Sequence, residues 1–251
     1  MADFGIDVIN AITFDEPVIY KGLKLYQCTL KDYLIFKSAQ DSLSLNRAYE
    51  KDLELLQLPY LEYVYRKSQT SQESYQIWCM LNCVLSISFA TDKFEYSYDC
   101  DGFKLSVTQD DNTFLFTCQE FDEIKELICQ INDIVVEDID PEWEKQLKDA
   151  QKKLATIRDN SGVEFRDMLT AFGVNIGKLP NEMKNISVPT FERYTKMYLD
   201  KDEYKINHSA EMSGMVTFKQ KIEHWLSHYR PKGKYDNVVS NRVKENILDK
   251  L

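Results

Sequence analysis

The feature that most constrains the fold is a change in the spacing of apolar residues near the middle of the chain. Between Phe94 and Phe116 apolar and polar side chains alternate, and Asp101-Gly102 and Asp110-Asp111-Asn112 interrupt the alternation. A period of two places one face of a β-strand against a core, and Asp, Asn and Gly favour the turns between strands. This region therefore predicts a three-stranded antiparallel meander.

A shorter β-rich stretch lies between Thr13 and Thr29. The runs Val18–Tyr20 and Leu23–Tyr26 are rich in β-branched, aromatic and aliphatic residues, and Lys21-Gly22 separates them. Glycine supplies the positive φ that a tight hairpin turn requires. We predict an N-terminal β-hairpin with its turn at Gly22.

Most of the remaining apolar residues recur at helical spacing, which predicts an α+β protein that is mostly helical, with an N-terminal β-hairpin and a three-stranded antiparallel meander. The helix over 163–172 is expected to end at Gly173, because glycine commonly closes helices. The predicted helices are one capped by Thr29, one beginning near Arg47, one with Pro59 at its first helical position, a buried helix over 75–89, and helices over 121–131, 141–158, 163–172, 186–199 and 215–229.

An acidic stretch, Asp133–Asp140, precedes Pro141 and divides the meander region from the helical second half. Proline fits the first turn of a helix, so a new helix is expected to begin there. We predict an α+β domain over residues 1–136, consisting of hairpin, helices, meander and a further helix. A helical domain with a polar C-terminal tail is predicted over residues 137–251.

The charge balance disfavours a role in binding nucleic acid. The formal net charge is −10 and the isoelectric point is near 4.9, whereas nonspecific binding to nucleic acid depends on Lys and Arg that neutralise phosphates. The acidity favours solubility, and it also suits a partner with a basic surface. Mimicry of nucleic acid would need long carboxylate runs, and the densest acidic stretch, Glu137–Asp140, is short.

The cysteines predict reduced thiols in a cytosolic protein. Most lie in apolar surroundings, where free cysteine packs as a small hydrophobe. The pair Cys79 and Cys83 falls within an apolar run and is expected in the core, and only Cys100 falls in an expected turn. The six cysteines are Cys28, Cys79, Cys83, Cys100, Cys118 and Cys129.

Neither a secretory signal nor a membrane span is expected. The first residues lack a basic segment followed by an apolar one, and the most apolar window, Ile77–Ala90, is too short to cross a bilayer. These features favour the cytoplasm of a cell, or of a host cell, with no membrane partner.

No arrangement of residues indicates catalysis, a cofactor or a bound metal. His224 and His228 have the i, i+4 spacing of a zinc pair, but Glu223 precedes the first histidine, unlike the His-Glu-x-x-His of zinc proteases. We therefore interpret them as surface or capping residues. Asp99, Asp101 and Gly102 faintly match a calcium loop but lack its remaining ligands, and a hairpin turn explains them. The protein is predicted to be non-enzymatic.

Two apolar features are candidates for contacts with another protein. Trp143, Leu147, Leu154 and Ile157 form a narrow apolar line along the predicted helix 141–158, and Trp225 lies on another largely polar helix. Tryptophan is enriched at the centres of interfaces, and a narrow seam can pair with a further helix within the chain or in a partner. Burial in the protein's own core is the alternative for each tryptophan.

The order of several aromatic-rich segments resembles that of proteins encoded in the tail-gene clusters of tailed bacteriophages of low-GC Gram-positive hosts. Some of those proteins resemble tail assembly chaperones or baseplate-hub assembly factors. The resemblance covers most of the chain outside the meander and rests on apolar patterning. The segments are Pro17–Tyr26, Thr29–Phe36, Leu58–Tyr65, Phe165–Phe172, Val188–Tyr198, Ser213–Val216 and Glu223–Trp225.

This resemblance implies a non-enzymatic protein that binds a tail structural protein, such as the tape measure or a tail or hub component, in the host cytoplasm. Trp143, Leu147, Leu154, Ile157 and Trp225 would then belong to the contact surface. Two alternatives stay open. One is a structural component of the virion's tail, neck or baseplate that self-associates, and the other is a host-takeover or anti-defence binding protein.

Overall fold

The computed structural model describes residue 9, residues 12–47, 50–100, 102–134 and 164–214, and the single positions 218, 222, 224 and 225. The α+β class is confirmed. The predicted hairpin and the predicted antiparallel meander are both present. The elements are β1 (Val18–Tyr20), β2 (Leu23–Leu25), α1 (Tyr33–Ala39), a 3₁₀ turn (Gln40–Leu43), α2 (Leu53–Leu56), α3 (Tyr60–Ser68), α4 (Gln72–Phe89), β3 (Phe94–Asp99), β4 (Gly102–Gln109), β5 (Asn112–Thr117), α5 (Cys118–Ile131), α6 (Phe165–Ile176), α7 (Pro180–Met183) and α8 (Val188–Met212).

The hairpin forms as the sequence predicts. Val18 pairs with Leu25 and Tyr20 with Leu23, and the turn residues Lys21 and Gly22 both have positive φ, +48° and +92°. The tip of the turn lies against the meander, because a Cβ at Gly22 would meet the Phe114 ring at 2.9 Å. Glycine is therefore required at this position by both conformation and space.

The meander pairs β3 with β4 and β4 with β5, both antiparallel. Its inner face packs into the core, where Phe103, Leu105 and Val107 of the central strand are almost fully buried. The turn Asp110-Asp111 joins β4 to β5, with both residues at positive φ, as Asp and Asn tolerate.

Gln109 joins three elements at the end of the central strand. Its side-chain amide Nε2 donates to the carbonyl oxygens of Lys24 in β2 (3.0 Å) and Phe89 in α4 (2.7 Å), and its Oε1 accepts from the Lys24 N–H at 2.9 Å. The side chain is buried, and its bonds satisfy a buried carbonyl of Phe89 and partly buried backbone groups of Lys24.

Helix α5 extends the predicted helix 121–131 at its N-terminal end. Thr117 is the N-cap: its Oγ1 accepts from the Glu120 N–H, and the Glu120 carboxylate accepts from the Thr117 N–H. This capping box satisfies two backbone donors that a helix start otherwise leaves unpaired. The predicted apolar stripe faces the core, with Phe121, Ile124 and Ile131 fully buried.

A polar cluster connects the middle and last turn of α3 to the preceding loop. Lys67 donates to the carboxylate of Glu50 at 2.7 Å and to the hydroxyl of Tyr63 at 2.8 Å, and Tyr63 donates to Glu50 at 3.2 Å. The Arg47 guanidinium lies 4.6 Å from the centre of the Tyr63 ring. These groups are partners of one another, which indicates a structural role.

Two predicted helix starts are wrong. Helix α1 begins at Tyr33, because Thr29 is held in a strand-like bridge to Ser187 and its neighbours donate to residues of the later chain. The helix expected near Arg47 begins only at Leu53, where the Asp52 carboxylate accepts from the Glu54 N–H at 2.9 Å.

Three further helix bounds also differ from prediction. Pro59 is the N-cap of α3 and not its first helical residue. Helix α6 continues through Gly173 and ends at Ile176, with Gly177 as its C-cap at a φ of +67°. The helix predicted over 186–199 spans Val188–Met212, because no glycine or proline interrupts the chain from Thr190 to Met212.

The chain divides into two compact units, Met1–Glu192 and Arg193–Leu251. Phe172, Met183, Val188 and Phe191 belong to the core of the first unit, together with the hairpin, the meander and α5. The predicted domain boundary after residue 136 lies outside the described residues and stays a prediction.

Within the first unit, backbone hydrogen bonds join the segment around the start of α8 to the segment that follows the hairpin. The N–H of Val188 donates to the carbonyl of Cys28 at 2.8 Å, and the N–H of Leu30 donates to the carbonyl of Ile186 at 3.0 Å. Asn132 also holds the segment that contains Cys28, because the Asn132 Oδ1 accepts from the Cys28 N–H at 2.7 Å.

Candidate interaction site

Helices α1 and α4 lie side by side in the first unit, and each has one buried and one open face. Phe36 and Ala39 of α1 are buried, whereas Leu34 and Ile35 face outward and are 66% and 54% exposed. Because this short helix keeps two large apolar side chains in solvent, its outer face differs from an ordinary polar helix surface.

The prediction that the helix over 75–89 is buried all round is wrong. Leu81, Val84, Leu85 and Phe89 of α4 are fully buried, but the opposite face is open, and Tyr75 is 55% exposed. The helix contacts α1, α3 and β2, and its aromatic side chains also contact those of β3. Apolar residue types alone do not determine which face is covered, since much of any protein surface is apolar.

The open faces of α1 and α4 together form a shallow groove of about 440 Å³. No charged side chain lines it, and the polar groups of the lining are two amides, two hydroxyls and two thiols. The lining residues are Ile35, Ser38, Ala39, Gln72, Tyr75, Gln76, Cys79, Met80 and Cys83. We call this surface the α1–α4 groove.

Two thiols lie in the α1–α4 groove, contrary to the prediction that they pack in the core. Cys79 and Cys83 are both exposed, one helical turn apart on α4. The physical reason is the one-sided packing of α4, which covers the stripe containing Leu81 and Leu85 and leaves the stripe of Cys79 and Cys83 open. The thiols are therefore accessible from the groove.

The other cysteines agree with the sequence predictions. Cys28, Cys118 and Cys129 are buried, and burial raises the pKa of their thiols to about 12, 11 and 11 respectively. Cys100 is exposed at the turn between β3 and β4. A thiol whose pKa is raised forms little thiolate and reacts slowly.

Of the predicted contact residues, the structure describes one. Trp143, Leu147, Leu154 and Ile157 lie outside the described residues, and their role stays a prediction. Trp225 is partly buried within the second unit: its ring lies 6.0 Å from the Lys201 ammonium and 5.8 Å from the His224 ring.

The interpretation of His224 and His228 as surface or capping residues stays a prediction, because His228 lies outside the described residues. The His224 ring lies 5.0 Å from the ring of Tyr204 in α8. Within the described ranges, no group of three or more His, Cys, Asp or Glu side chains is arranged to hold a metal ion.

A signal for the α1–α4 groove is present in the sequence of α4. Its exposed stripe carries Gln72, Gln76, Cys79 and Cys83, whereas the opposite stripe carries Leu and Val. The difference in hydrophobicity between the two stripes is small, because Met80 and Tyr75 are also on the exposed side. This small difference made the helix look uniformly apolar.

No helix in the described part of the chain is both long and apolar enough to cross a membrane. Comparisons with protein-family models, curated proteins and solved structures found no match for this chain.

Proposed function

We propose that this chain is a non-enzymatic binding protein in bacteriophage tail assembly, and that it holds an apolar helix of a tail structural protein in the α1–α4 groove. The observation that carries the proposal is the groove itself, an uncharged and largely apolar surface on a chain of net charge −10. Contiguous apolar surface of this kind commonly marks a site of contact with another protein.

A helix is the ligand that fits this groove best. Two neighbouring helices present ridges and a furrow along which a third helix packs, and amphipathic helices insert apolar side chains at i, i+3, i+4 and i+7 into such furrows. Ile35 on one wall and Tyr75 on the other provide apolar contacts. Met80 adds a flexible thioether that adapts to different partners.

The charge of the chain favours a partner whose helix is basic on its polar side. The groove lining is uncharged, so it suits the apolar face of the ligand, while the net charge of −10 attracts a basic surface over a longer range. We expect an amphipathic, basic segment of a tape measure, tail or hub protein. Binding in the host cytoplasm would cover this segment before assembly.

The test is co-expression of the full chain with individual tail structural proteins, followed by size-exclusion chromatography with light scattering. We expect a stable complex with one of them, and we expect Ile35→Glu to weaken it at least about tenfold, because a charge buried without a partner is costly. Leu34→Glu is the matched control: Leu34 is exposed on the same helix and does not line the groove.

Two results would overturn the proposal. The first is equal binding by the Ile35→Glu and Leu34→Glu proteins, which would place the contact elsewhere. The second is self-assembly of the isolated chain into a ring or tube, together with its detection in finished particles by mass spectrometry. That outcome would favour the alternative of a structural virion component.

A further inference from the structure

The two thiols of the α1–α4 groove form a chemical feature that the proposed function does not use. Cys79 and Cys83 are exposed and line the same groove, whereas Cys28, Cys118 and Cys129 are buried. The groove therefore contains two accessible nucleophiles at the place where a partner helix would lie.

The helix that carries these thiols prevents them from joining each other. Residues four apart on a helix have Cβ atoms about 5–6 Å apart, whereas a disulfide requires a Cβ separation of about 3.5–4.5 Å. Both residues lie well inside α4, which spans Gln72–Phe89. A bond between Cys79 and Cys83 would distort the middle of this helix, so each thiol is expected to react with an external partner.

We propose that Cys79 and Cys83 are modification sites for small-molecule disulfides, and that the adducts close the α1–α4 groove to its protein ligand. The thiolate of one cysteine attacks a sulfur of the small disulfide. A new S–S bond forms, the original S–S bond breaks, and the other half of the small disulfide leaves as a thiolate. The proton lost by the cysteine neutralises this leaving thiolate, and no further oxidant is required.

An adduct on either cysteine would occupy part of the groove and bring polar groups into it, so the partner helix could no longer bind there. The natural lining is uncharged, and a peptide-like adduct such as glutathione carries charged groups that an apolar helix cannot accommodate. A reducing thiol reverses the exchange. Reduced protein would bind its partner, and exposure to disulfides would release it. This regulatory consequence rests on the proposed function, whereas the modification itself does not.

The first experiment incubates the full chain with glutathione disulfide and maps the adducts by peptide mass spectrometry. We expect mixed disulfides at Cys79 and Cys83, and at the exposed Cys100 as a reference, with Cys28, Cys118 and Cys129 unmodified. Circular dichroism should show unchanged helicity. An intrachain bond between Cys79 and Cys83 as the main product, or no reaction at either thiol, would overturn the proposal.

The second experiment measures binding of the co-expressed tail protein before and after the same treatment. We expect at least about tenfold weaker binding after treatment, restored by dithiothreitol. A Cys79→Ser/Cys83→Ser protein should bind equally with and without treatment, and Cys100→Ser should respond like the wild type. Equal binding by fully modified wild-type protein would overturn the regulatory role.

The two experiments separate the failure of this inference from the failure of the proposed function. If the untreated protein binds none of the tail proteins, the proposed function and the regulatory consequence are both contradicted. Adducts at Cys79 and Cys83 in that case would still support the modification site.

Discussion

The Glu50 carboxyl makes the stability of the fold depend on pH. The hydrogen bond from Lys67 lowers the pKa of the Glu50 carboxyl from 4.5 to about 2, with further contributions from the Asp52 N–H and the Tyr63 hydroxyl. The carboxyl is thus a stronger acid in the folded state, and its charged form stabilises the fold. This stabilisation is fully present at a pH above the ordinary pKa of the unfolded state, and it is lost as the pH falls through the lowered pKa of the folded state.

We therefore predict that Glu50→Gln flattens the pH dependence of stability between pH 4.5 and about 2. The wild-type free energy of unfolding should fall more steeply in that window than that of the variant, as measured by urea denaturation monitored by circular dichroism. Glu95→Gln, at an exposed position on β3, should retain the wild-type slope. Parallel curves for the Glu50→Gln and wild-type proteins would contradict the role given to the Lys67 hydrogen bond.

Gln109 is the second residue whose contacts predict a measurable effect. Gln109→Leu removes three hydrogen bonds, to the partly buried N–H and carbonyl of Lys24 and to the buried carbonyl of Phe89. Each bond contributes about 0.5–1.5 kcal/mol, so a loss of about 2–4 kcal/mol is expected in urea unfolding. Gln119→Ala, on the exposed side of α5, should change stability by less than about 0.5 kcal/mol. A neutral Gln109→Leu would show that water replaces these bonds.

Sequence patterns predicted residues whose role is local and missed those whose role is set by distant contacts. Gly22 was identified because a two-residue hairpin turn requires positive φ within the turn itself. Thr29 was misassigned because its partner, Ser187, is far along the chain. Gln109 could not be identified from the sequence either, since its partners lie in β2 and α4.

Among the helices, α6 contains a glycine whose replacement by alanine is expected to destabilise the helix and not to stabilise it. Gly173 lies inside the helix, where Gly→Ala normally stabilises by about 1 kcal/mol. Here an added Cβ would meet the Lys178 carbonyl oxygen at 2.6 Å and the Met183 Cε at 3.0 Å. The chain leaving α6 folds back closely, and the Lys178 N–H donates to the Gly173 carbonyl at 2.9 Å.

We therefore predict that Gly173→Ala destabilises the protein by about 1–3 kcal/mol, because the added methyl group overpacks this contact. Thermal and urea unfolding would measure the change. Asn175→Ala, at an exposed position in the same helix, should be neutral or slightly stabilising. Stabilisation by Gly173→Ala would show that the turn after α6 can shift to accommodate the added methyl group without a net loss of stability.

The elements themselves were largely predictable, but the faces they expose were not. The alternation of β3 to β5 and the stripe of α5 are strong because each element has one apolar and one polar face. Helix α4 lacks this contrast, since its open face carries Tyr75, Cys79 and Met80. Its periodicity therefore indicated a helix correctly, but the difference between its two stripes was too small to reveal the groove beside α1.

At the scale of the whole molecule, the sequence did not indicate which segments share a core. Phe172, Val188 and Phe191 complete the core of the first unit, although more than half the chain separates them from the hairpin. Local composition reports only changes along the chain. It therefore suggested a boundary at the acidic stretch before Pro141, but it carries no information about which distant segments pack together. The pairing of Cys28 with Val188 is a long-range contact that no local pattern contains.

The proposed function concerns one surface of this molecule, and the groove thiols offer a direct probe of it. Cys79 and Cys83 lie within the α1–α4 groove, and Cys100 is an exposed thiol at a turn outside it. A helix bound in the groove would cover the first two and leave the third accessible. Alkylation rates at the three positions thus report occupancy without any substitution.

The most direct measurement is the rate of iodoacetamide alkylation at each cysteine, by mass spectrometry, for the reduced full chain alone and in complex with a co-expressed tail structural protein. We predict that the complex slows alkylation of Cys79 and Cys83 at least about tenfold, because a covered thiol reacts only when the complex opens. The rate at Cys100 should not change. A stable complex in which Cys79 and Cys83 react as fast as in the free chain would contradict binding in the α1–α4 groove.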